Sequence, residues 1–372
     1  KRTFSLIVGI LFFLSVLLHT SSPRATFQFC LEWFMLGLFF WSSLDLSFGF
    51  KKFSIGYALS LLPSTIFGLW QYGVQMVPAI KYAGVALQSP LVRGVSVIEA
   101  AGERVLRIYG TFPHPNIFAG WLTVAIFLLL LTIPLLIKRW QQYAVVFWIN
   151  LSLIALILTF SRAALIALCV GGLVALCLST IRKTYVALPI RFIVSAVMIT
   201  SLVVCFTFLQ TRHLWLVRAQ STTRLEQRSV NERTQSLEDG IKIFRTHPCL
   251  GVGPGAELQA VQSLRPTAQI PPVPPHIFWL VALNEIGLIG ILGICLILLS
   301  LFFTRTPISS VVLGLDPRIH PKPSAVFLVL TSTFFTLSLF DHYLWTLWSG
   351  KTPLILLILA IVIQTKSQKQ SL

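Results

Sequence analysis

The chain has 372 residues, of which 55% are hydrophobic and only 11% are charged. Soluble globular domains carry about a quarter charged residues, so this composition excludes an ordinary soluble fold. A formal net charge of +17 would indicate a nucleic-acid partner in a soluble protein, but here the basic residues lie between apolar segments and serve as orientation signals and lipid contacts. We therefore predict contacts with membrane lipids and no nucleic-acid partner.

About ten apolar runs follow one another, each near the roughly 20 residues that a spanning helix needs. The sequence thus predicts an all-α fold: a polytopic transmembrane helical bundle of about ten spans that forms one integral membrane domain over residues 1–372. The chain opens with Lys1 rather than Met, which leaves open that N-terminal spans are missing. In chain order the runs lie at about 3–20, 29–50, 54–77, 116–137, 143–160, 163–180, 190–209, 277–303, 324–345 and 352–365.

Orientation follows from the short connections, because Lys and Arg in them are retained in the cytoplasm. Pairs such as Lys51/Lys52 and Lys138/Arg139 then lie inside, and two long loops, about 78–115 and 210–276, lie on the outer, non-cytoplasmic face of the inner membrane. Most basic residues in these loops are arginines, which are favoured where a phosphate must be held by a planar fork of donors. The simpler interpretation is a solvated or headgroup-contacting surface.

The second loop contains a predicted helix over about 223–245, which would lie on the membrane surface or cover the bundle. Arg224 and Arg228, four residues apart, would share one of its faces. Another face would carry an apolar stripe of Val230, Leu237, Ile241 and Phe244.

The run from Gly251 to Gly255 follows this helix and predicts a turn that needs positive φ or a close backbone approach. A phosphate cradle is the alternative, but the run lacks the Lys-Ser/Thr of a P-loop. A proline-rich segment then leads to His276 at the membrane surface. The cysteines lack zinc-site spacing and no Asp-x-Asp pair is present, so we predict chemistry without a metal or other cofactor.

Arg162 and His276 are the strongest individual candidates for chemistry. Ser161-Arg162 stands between two apolar runs, which places a guanidinium at the outer headgroup level, where it needs an anionic partner. Snorkelling to a lipid phosphate is the alternative. His276 begins an apolar span and can take a proton from a hydroxyl near neutral pH; the alternative is an ordinary interfacial residue.

Four motifs, taken together, resemble the bacterial O-antigen ligase and polymerase superfamily, in the family's order, from about residue 100 to 350. The resemblance implies a GT-C-like membrane glycosyltransferase that moves a glycan from an undecaprenyl-diphosphate carrier to a glycan or lipid acceptor on the periplasmic side, without a metal. The motifs are Arg107-x-Tyr-Gly-Thr-Phe-x-His114-Pro-Asn116-x-x-Ala-Gly, Ser161-Arg162, Glu232-Arg233 leading to His-Pro-x-x-Gly-x-Gly-Pro-Gly, and His276 with Gly287-x-x-Gly290.

Position by position, the resemblance implies that Arg162 and Arg233 hold the diphosphate and that His276 activates the acceptor hydroxyl. Ile277 stands where the family commonly has Asn, Ser or Gln. Ligase and polymerase activities stay open, as do a polysaccharide or lipid transporter and a structural scaffold. The further predicted substrate-binding residues are Arg107, His114, Asn116, Arg224, Arg228, Gly253 and Gly255.

Overall fold

The computed structural model describes residues 19–43, 49–81, 85–100, 102–182, 188–220, 223–266, 273–303 and 323–369. Most of the predicted span at about 3–20 lies outside the described residues. The elements, in chain order, are α1 (Pro23–Ser43), α2 (Phe50–Val74), β1 (Val97–Ala100), β2 (Glu103–Leu106), α3 (Pro115–Thr132), α4 (Arg139–Leu158), α5 (Arg162–Arg182), α6 (Ile190–Gln220), α7 (Arg224–Thr246), α8 (Glu257–Leu264), α9 (Phe278–Phe303), α10 (Pro323–Phe340), α11 (Tyr343–Thr346) and α12 (Trp348–Lys369).

The all-α prediction is confirmed, and the apolar runs after the first are found as helices. Within the described ranges, four helices are long and apolar enough to cross a membrane: α2, α3 extended to Leu135, α4 and α6. Shorter apolar stretches occur in α5, α9, α10 and α12. The structure therefore supports an integral membrane protein, while the number of about ten spans is not confirmed.

The described residues divide into two compact units. One, here the histidine unit, contains those of 1–47, 231–315 and 338–372. The other, here the arginine unit, contains those of 48–230 and 316–337. The boundary between residues 230 and 231 falls inside α7.

Helices α3 and α6 of the arginine unit are both strongly apolar, yet they differ in their surroundings. In α3, 83% of the apolar window is buried within the protein, whereas in α6 only 11% is buried. A helix that is apolar all round must be covered by protein or by lipid. We infer that α3 is the core helix of this unit and that the uncovered side chains of α6 face lipid.

The loop predicted at 78–115 contains an antiparallel hairpin of β1 and β2, paired from Val97↔Leu106 to Ala100↔Glu103, which the sequence analysis did not predict. Ile98 of this hairpin packs with Phe160 and Leu214 in one buried cluster. Because Leu214 is held in this way, α6 continues to Gln220, past its predicted end at about 209. The hairpin and the end of α6 together support the residues that surround Arg162.

The α9 helix of the histidine unit breaks at Gly287, which has φ +62° and ψ −177°. The break frees backbone groups that the glycine run after α7 satisfies. Val252 N and Gly253 N donate to the carbonyls of Asn284 and Glu285, at 2.8 and 2.9 Å. In the opposite direction, the amides of residues 288 and 289 donate to the carbonyls of residues 248 and 249, at 2.9 and 3.1 Å. The glycine run thus stabilises the broken helix through backbone hydrogen bonds on both sides of Gly287.

Candidate functional site

His276 lies at the start of α9, opposite the break that separates α10 from α11. Its Nδ1 is 4.0 Å from Asp341 Oδ1, and its ring centroid is 5.4 Å from that of His342. The His276 side chain is 32% exposed and that of Asp341 is 9% exposed. The imidazole is therefore partly accessible from outside while a carboxylate lies 4.0 Å from one of its nitrogens, an arrangement that suits a general base.

Asp341 occupies this position because the helix predicted over 324–345 ends at Phe340. Asp341 Oδ1 accepts a hydrogen bond from His342 N at 3.0 Å, and His342 Nδ1 is bonded to Thr346 Oγ1 at 2.7 Å. Both side chains of the Asp341-His342 pair are thereby oriented by local contacts. The sequence alone does not show that His276 faces this pair, because the two segments are more than 60 positions apart.

Arg162 is the first residue of α5, and the turn before it is unusual. Phe160 has φ +50°, a left-handed conformation that non-glycine residues rarely adopt, and its side chain is fully buried. Ser161 Oγ then accepts a 3.4 Å hydrogen bond from Ala164 N as the helix begins. This strained, well-anchored turn fixes the direction in which the Arg162 side chain leaves the protein.

The Arg162 guanidinium is held at two points and is 34% exposed. Its Nη1 donates to the carbonyl of Arg218 at 2.7 Å, and its Nη2 lies 3.9 Å from Glu226 Oε2. Glu226 also makes a close, buried ion pair with Arg218. Two guanidiniums thus lie beside one carboxylate near the N-terminus of α5, where the helix dipole favours anions.

Sequence reasoning gave no role to Arg218 or Glu226. Arg218 falls within the predicted loop of about 210–276, whereas the structure places it in the last turn of α6. Glu226 is 3% exposed although it lies in a strongly polar helix. The signal in the sequence is an acidic residue, Glu226, among several arginines. Such a residue predicts an ion pair with a nearby arginine, here Arg218 at the end of α6.

Arg233 lies on α7, whose predicted existence over about 223–245 is confirmed with bounds Arg224–Thr246. The buried positions of this helix include Glu226, Ser236 and Ile243, and Arg233 lies on the same face with a partly exposed side chain. Within the described part of the chain, no hydrogen-bond or ion-pair partner of the Arg233 guanidinium is found. It is therefore available to an anion.

The predicted apolar stripe of α7 does not form the face that packs on the protein. Val230, Leu237 and Ile241 are 43%, 37% and 38% exposed. The packed face instead includes Gly240, where an added Cβ would lie 2.5 Å from Pro275 Cγ. This close approach turns the stripe outward, as expected for a helix that lies on a membrane surface.

The other two arginines predicted on α7 are more exposed. Arg224 is 72% exposed and bonds Glu99 Oε1 of the hairpin at 2.9 Å. Arg228 is exposed as well. An exposed ion pair contributes little to stability, so Arg224 can exchange Glu99 for another anion at small cost.

The first predicted motif forms a buried network inside the arginine unit. Arg107 is 4% exposed and donates to Thr159 O, Ser96 Oγ and Asn116 Oδ1 at 2.7, 2.9 and 2.6 Å. His114 caps α3, because its Nδ1 accepts from Asn116 N at 3.1 Å. These contacts tie the hairpin, the start of α3 and the turn before Arg162 together.

The glycine-rich run binds a carboxyl group of the protein itself. Gly253 and Gly255 have φ of +106° and +74°, so a Cβ would be strained at either position. The amides of Gly255 and Glu257 donate to the Glu285 carboxylate, which also accepts from Trp345 Nε1 at 2.7 Å. The predicted substrate-binding glycines therefore have an internal occupant, the carboxylate of a buried residue in α9.

Glu257 is a second buried carboxyl group, close to the contact between the glycine run and α9. It is 1% exposed, and its Oε1 accepts from Asn284 Nδ2 at 2.8 Å. Burial raises the pKa of Glu257 to about 8, against the lowering effect of the Asn284 hydrogen bond. The group is therefore largely neutral at pH 7 and acts as a structural element.

The structure brings together His276 with Asp341 and His342 in the histidine unit. It brings together Arg162 with Arg218 and Glu226 in the arginine unit. Because Arg162 and His276 belong to different units, their convergence on one substrate stays a prediction.

Comparison with known families identifies the segment that carries most of these residues. Residues 145–295 match a family described as O-antigen ligase, Wzy_C. The match confirms the resemblance to the O-antigen ligase and polymerase superfamily. Arg162, Arg233 and His276 lie inside the matched segment, whereas the Arg107 network begins before it. No curated protein matches the chain significantly.

Proposed function

We propose that this protein, whose residues 145–295 match a family described as O-antigen ligase, is a membrane glycosyltransferase. It transfers an O-antigen or related glycan from an undecaprenyl-diphosphate carrier to an acceptor hydroxyl at the periplasmic face of the inner membrane, without a metal cofactor. The observation that carries the proposal is the exposed His276 imidazole facing Asp341 within this family segment and its own unit.

His276 acts as the general base in this proposal. It takes the proton of the acceptor hydroxyl, the oxygen attacks the anomeric carbon, and the bond to the carrier diphosphate breaks with its electron pair leaving on the diphosphate. Asp341 is a positioning residue, because its carboxylate at 4.0 Å favours the protonated imidazole that the step produces. General-base catalysis of this kind contributes about 10²–10⁴ in rate.

Arg162 and Arg233 stabilise the departing diphosphate. Negative charge develops there in the transition state, so a fixed guanidinium is more useful during transfer than in the ground state. Arg162 is supported by two contacts and remains one-third exposed, as a phosphate-binding side chain requires. Losing one such contact costs about 2.7–4 kcal/mol, or about 10²–10³ in rate. Arg224 and Arg228 supply additional positive charge near the start of α7.

Arg107, His114 and Asn116 serve this site as positioning residues. The buried Arg107 side chain holds the carbonyl of Thr159, three residues before Arg162. Gly253 and Gly255 act in the histidine unit, where they hold Glu285 and thereby the start of α9. The amphipathic α7 lies on the membrane and covers the bound carrier.

The second candidate is a polymerase of the same superfamily, which would use another carrier-linked glycan as its acceptor. The Wzy_C match supports both activities equally. A polysaccharide or lipid transporter is the remaining alternative, and it would require ionisable residues along a path through the helices. Exposed Arg162 and His276 at helix starts favour a transferase.

The test is transfer by the purified protein, in EDTA, from an undecaprenyl-diphosphate glycan to lipid A core or to a second carrier-linked glycan. We expect transfer by the wild type and a loss of at least about 10² with His276→Ala or Arg233→Ala. Arg245→Ala, an exposed arginine on the same helix, is the matched control and keeps the rate. Unchanged transfer by both site variants, or an absolute need for a divalent ion, would refute the mechanism. The product identifies the acceptor.

A further inference from the structure

The group around His276 contains two imidazoles and one carboxylate from two separate segments of the histidine unit. His276, Asp341 and His342 each offer one ligand atom, and these atoms all lie within 4.8 Å of one another. The three residues belong to the start of α9 and to the break between α10 and α11. The group forms only in the folded protein, because His276 and Asp341 are 65 positions apart in sequence.

The donor set suits a transition-metal ion. Imidazole nitrogen and carboxylate oxygen are ligands that Zn²⁺ and Co²⁺ accept, and three protein ligands leave a fourth position for water. Nδ1 of His276 is buried and makes no hydrogen bond within the described chain. The 2.7 Å bond between His342 Nδ1 and Thr346 Oγ1 is the type of outer contact that orients a metal-binding imidazole.

The spacing requires only a small adjustment. Zinc–ligand bonds of about 2.0–2.1 Å place tetrahedral ligand atoms roughly 3.3 Å apart. The present separations, at most 4.8 Å, close to that value if each side chain moves inward by less than about 1 Å. The His276 side chain is 32% exposed, so the three residues lie close to the protein surface.

We propose that His276, Asp341 and His342 form an inhibitory binding site for Zn²⁺ or a similar divalent transition-metal ion. The ion is not a cofactor: it occupies the imidazole lone pair of His276 and the Asp341 carboxylate that transfer needs. Binding itself stands on the geometry alone, and only its inhibitory effect rests on the proposed function. Zinc and transfer are therefore mutually exclusive at this site.

The binding experiment uses protein without a histidine tag, purified in detergent and treated with EDTA that is then removed. Co²⁺ is added and its visible absorption, which is intense in tetrahedral sites, is followed to saturation. We expect one ion per chain, displaced by Zn²⁺, with affinity lowered at least about tenfold in His342→Gln. The matched control is His247→Gln, because His247 lies two residues from the exposed Cys249 and is the obvious rival ligand.

The activity arm measures transfer over a range of free Zn²⁺, with each variant scaled to its own rate in EDTA. We expect reversible inhibition of the wild type and of His247→Gln, and at least tenfold more zinc for half-inhibition of His342→Gln. If His342→Gln is poorly folded, Asp341→Asn provides the same comparison in the Co²⁺ titration.

Equal Co²⁺ binding by wild type and His342→Gln, or loss of binding in His247→Gln, would overturn the metal site whatever the activity. Site-specific binding in a protein that transfers no glycan would leave the metal site standing and refute the proposed function. The inhibitory role would be refuted if the protein transfers glycan and the rate is unchanged at a Zn²⁺ concentration that displaces all bound Co²⁺.

Discussion

Glu226→Gln tests how Arg162 is held. The Glu226 side chain is 3% exposed and lies between Arg218, 8% exposed, and Arg162, 34% exposed. Glutamine keeps the shape of the side chain but removes its charge. The substitution therefore leaves a buried guanidinium at Arg218 without a counter-charge, while Arg162 can turn toward solvent.

Most of the expected loss of folding stability comes from Arg218, the buried partner of Glu226. Removing one member of a buried ion pair costs about 3–5 kcal/mol, because the remaining charge stays desolvated. The longer and partly exposed contact with Arg162 contributes at most about 1 kcal/mol. We therefore expect the apparent melting temperature of Glu226→Gln to fall by on the order of 10 °C.

The assay is thermal unfolding of purified protein in one detergent, followed by tryptophan fluorescence. Arg162→Ala is the matched comparison and should melt within a few degrees of the wild type, although its transfer rate falls about 10²–10³. The double variant Arg218→Leu with Glu226→Leu should recover most of the stability, since an apolar pair needs no counter-charge. Wild-type melting of Glu226→Gln, or equal destabilisation by Arg162→Ala, would refute this reasoning.

The remaining predictions concern the histidine unit. The pKa of Glu257 is about 8 in the folded protein, above its ordinary 4.5, so folding takes up a proton between these pH values and stability falls as the pH rises from 4.5 to 8. Glu257→Gln should therefore flatten the pH profile of the melting temperature and melt at a higher temperature than the wild type at pH 8. An unchanged slope would contradict this. Gly287→Ala should strongly destabilise the fold, because φ is +62° there and the added Cβ would overlap the Cys249 carbonyl; wild-type melting would show that α9 does not need the break. Lys351, 1% exposed, bonds Glu32, 21% exposed, at 2.6 Å; Glu32→Gln should cost more stability than Lys351→Met, because the more deeply buried charge is then left unpaired, and the reverse order in paired melts would count against this pairing.

The helices could be predicted from the sequence because apolar runs of about 20 residues have few other ways to satisfy their backbone in lipid. The end of α6 could not, since its last turns are polar. Leu214 stays helical there by packing on Ile98, more than a hundred positions earlier, and such a contact leaves no local pattern. The hairpin that contains Ile98 was missed for the same reason.

In the candidate site, too, local sequence predicts some features, whereas others depend on tertiary contacts. Their positions beside apolar runs drew attention to Arg162 and His276, and the family resemblance implied a role for Arg233; these predictions stay to be tested by activity. The acids beside Arg162 and His276 are Glu226 and Asp341, at 3.9 and 4.0 Å. They lie more than 60 positions away in sequence, so these pairings depend on the tertiary structure. The glycine run was correctly predicted as a turn with positive φ, but its contact with the carboxyl group of Glu285 depends on the tertiary fold.

The most direct test of the whole account is the initial rate of glycan transfer in EDTA at saturating undecaprenyl-diphosphate glycan, compared between wild type and His276→Ala. The account predicts measurable transfer by the wild type and a rate lower by about 10²–10⁴ in the variant, with melting temperatures that agree within a few degrees. Equal rates in the two proteins would contradict the assignment of His276 as the base that activates the acceptor.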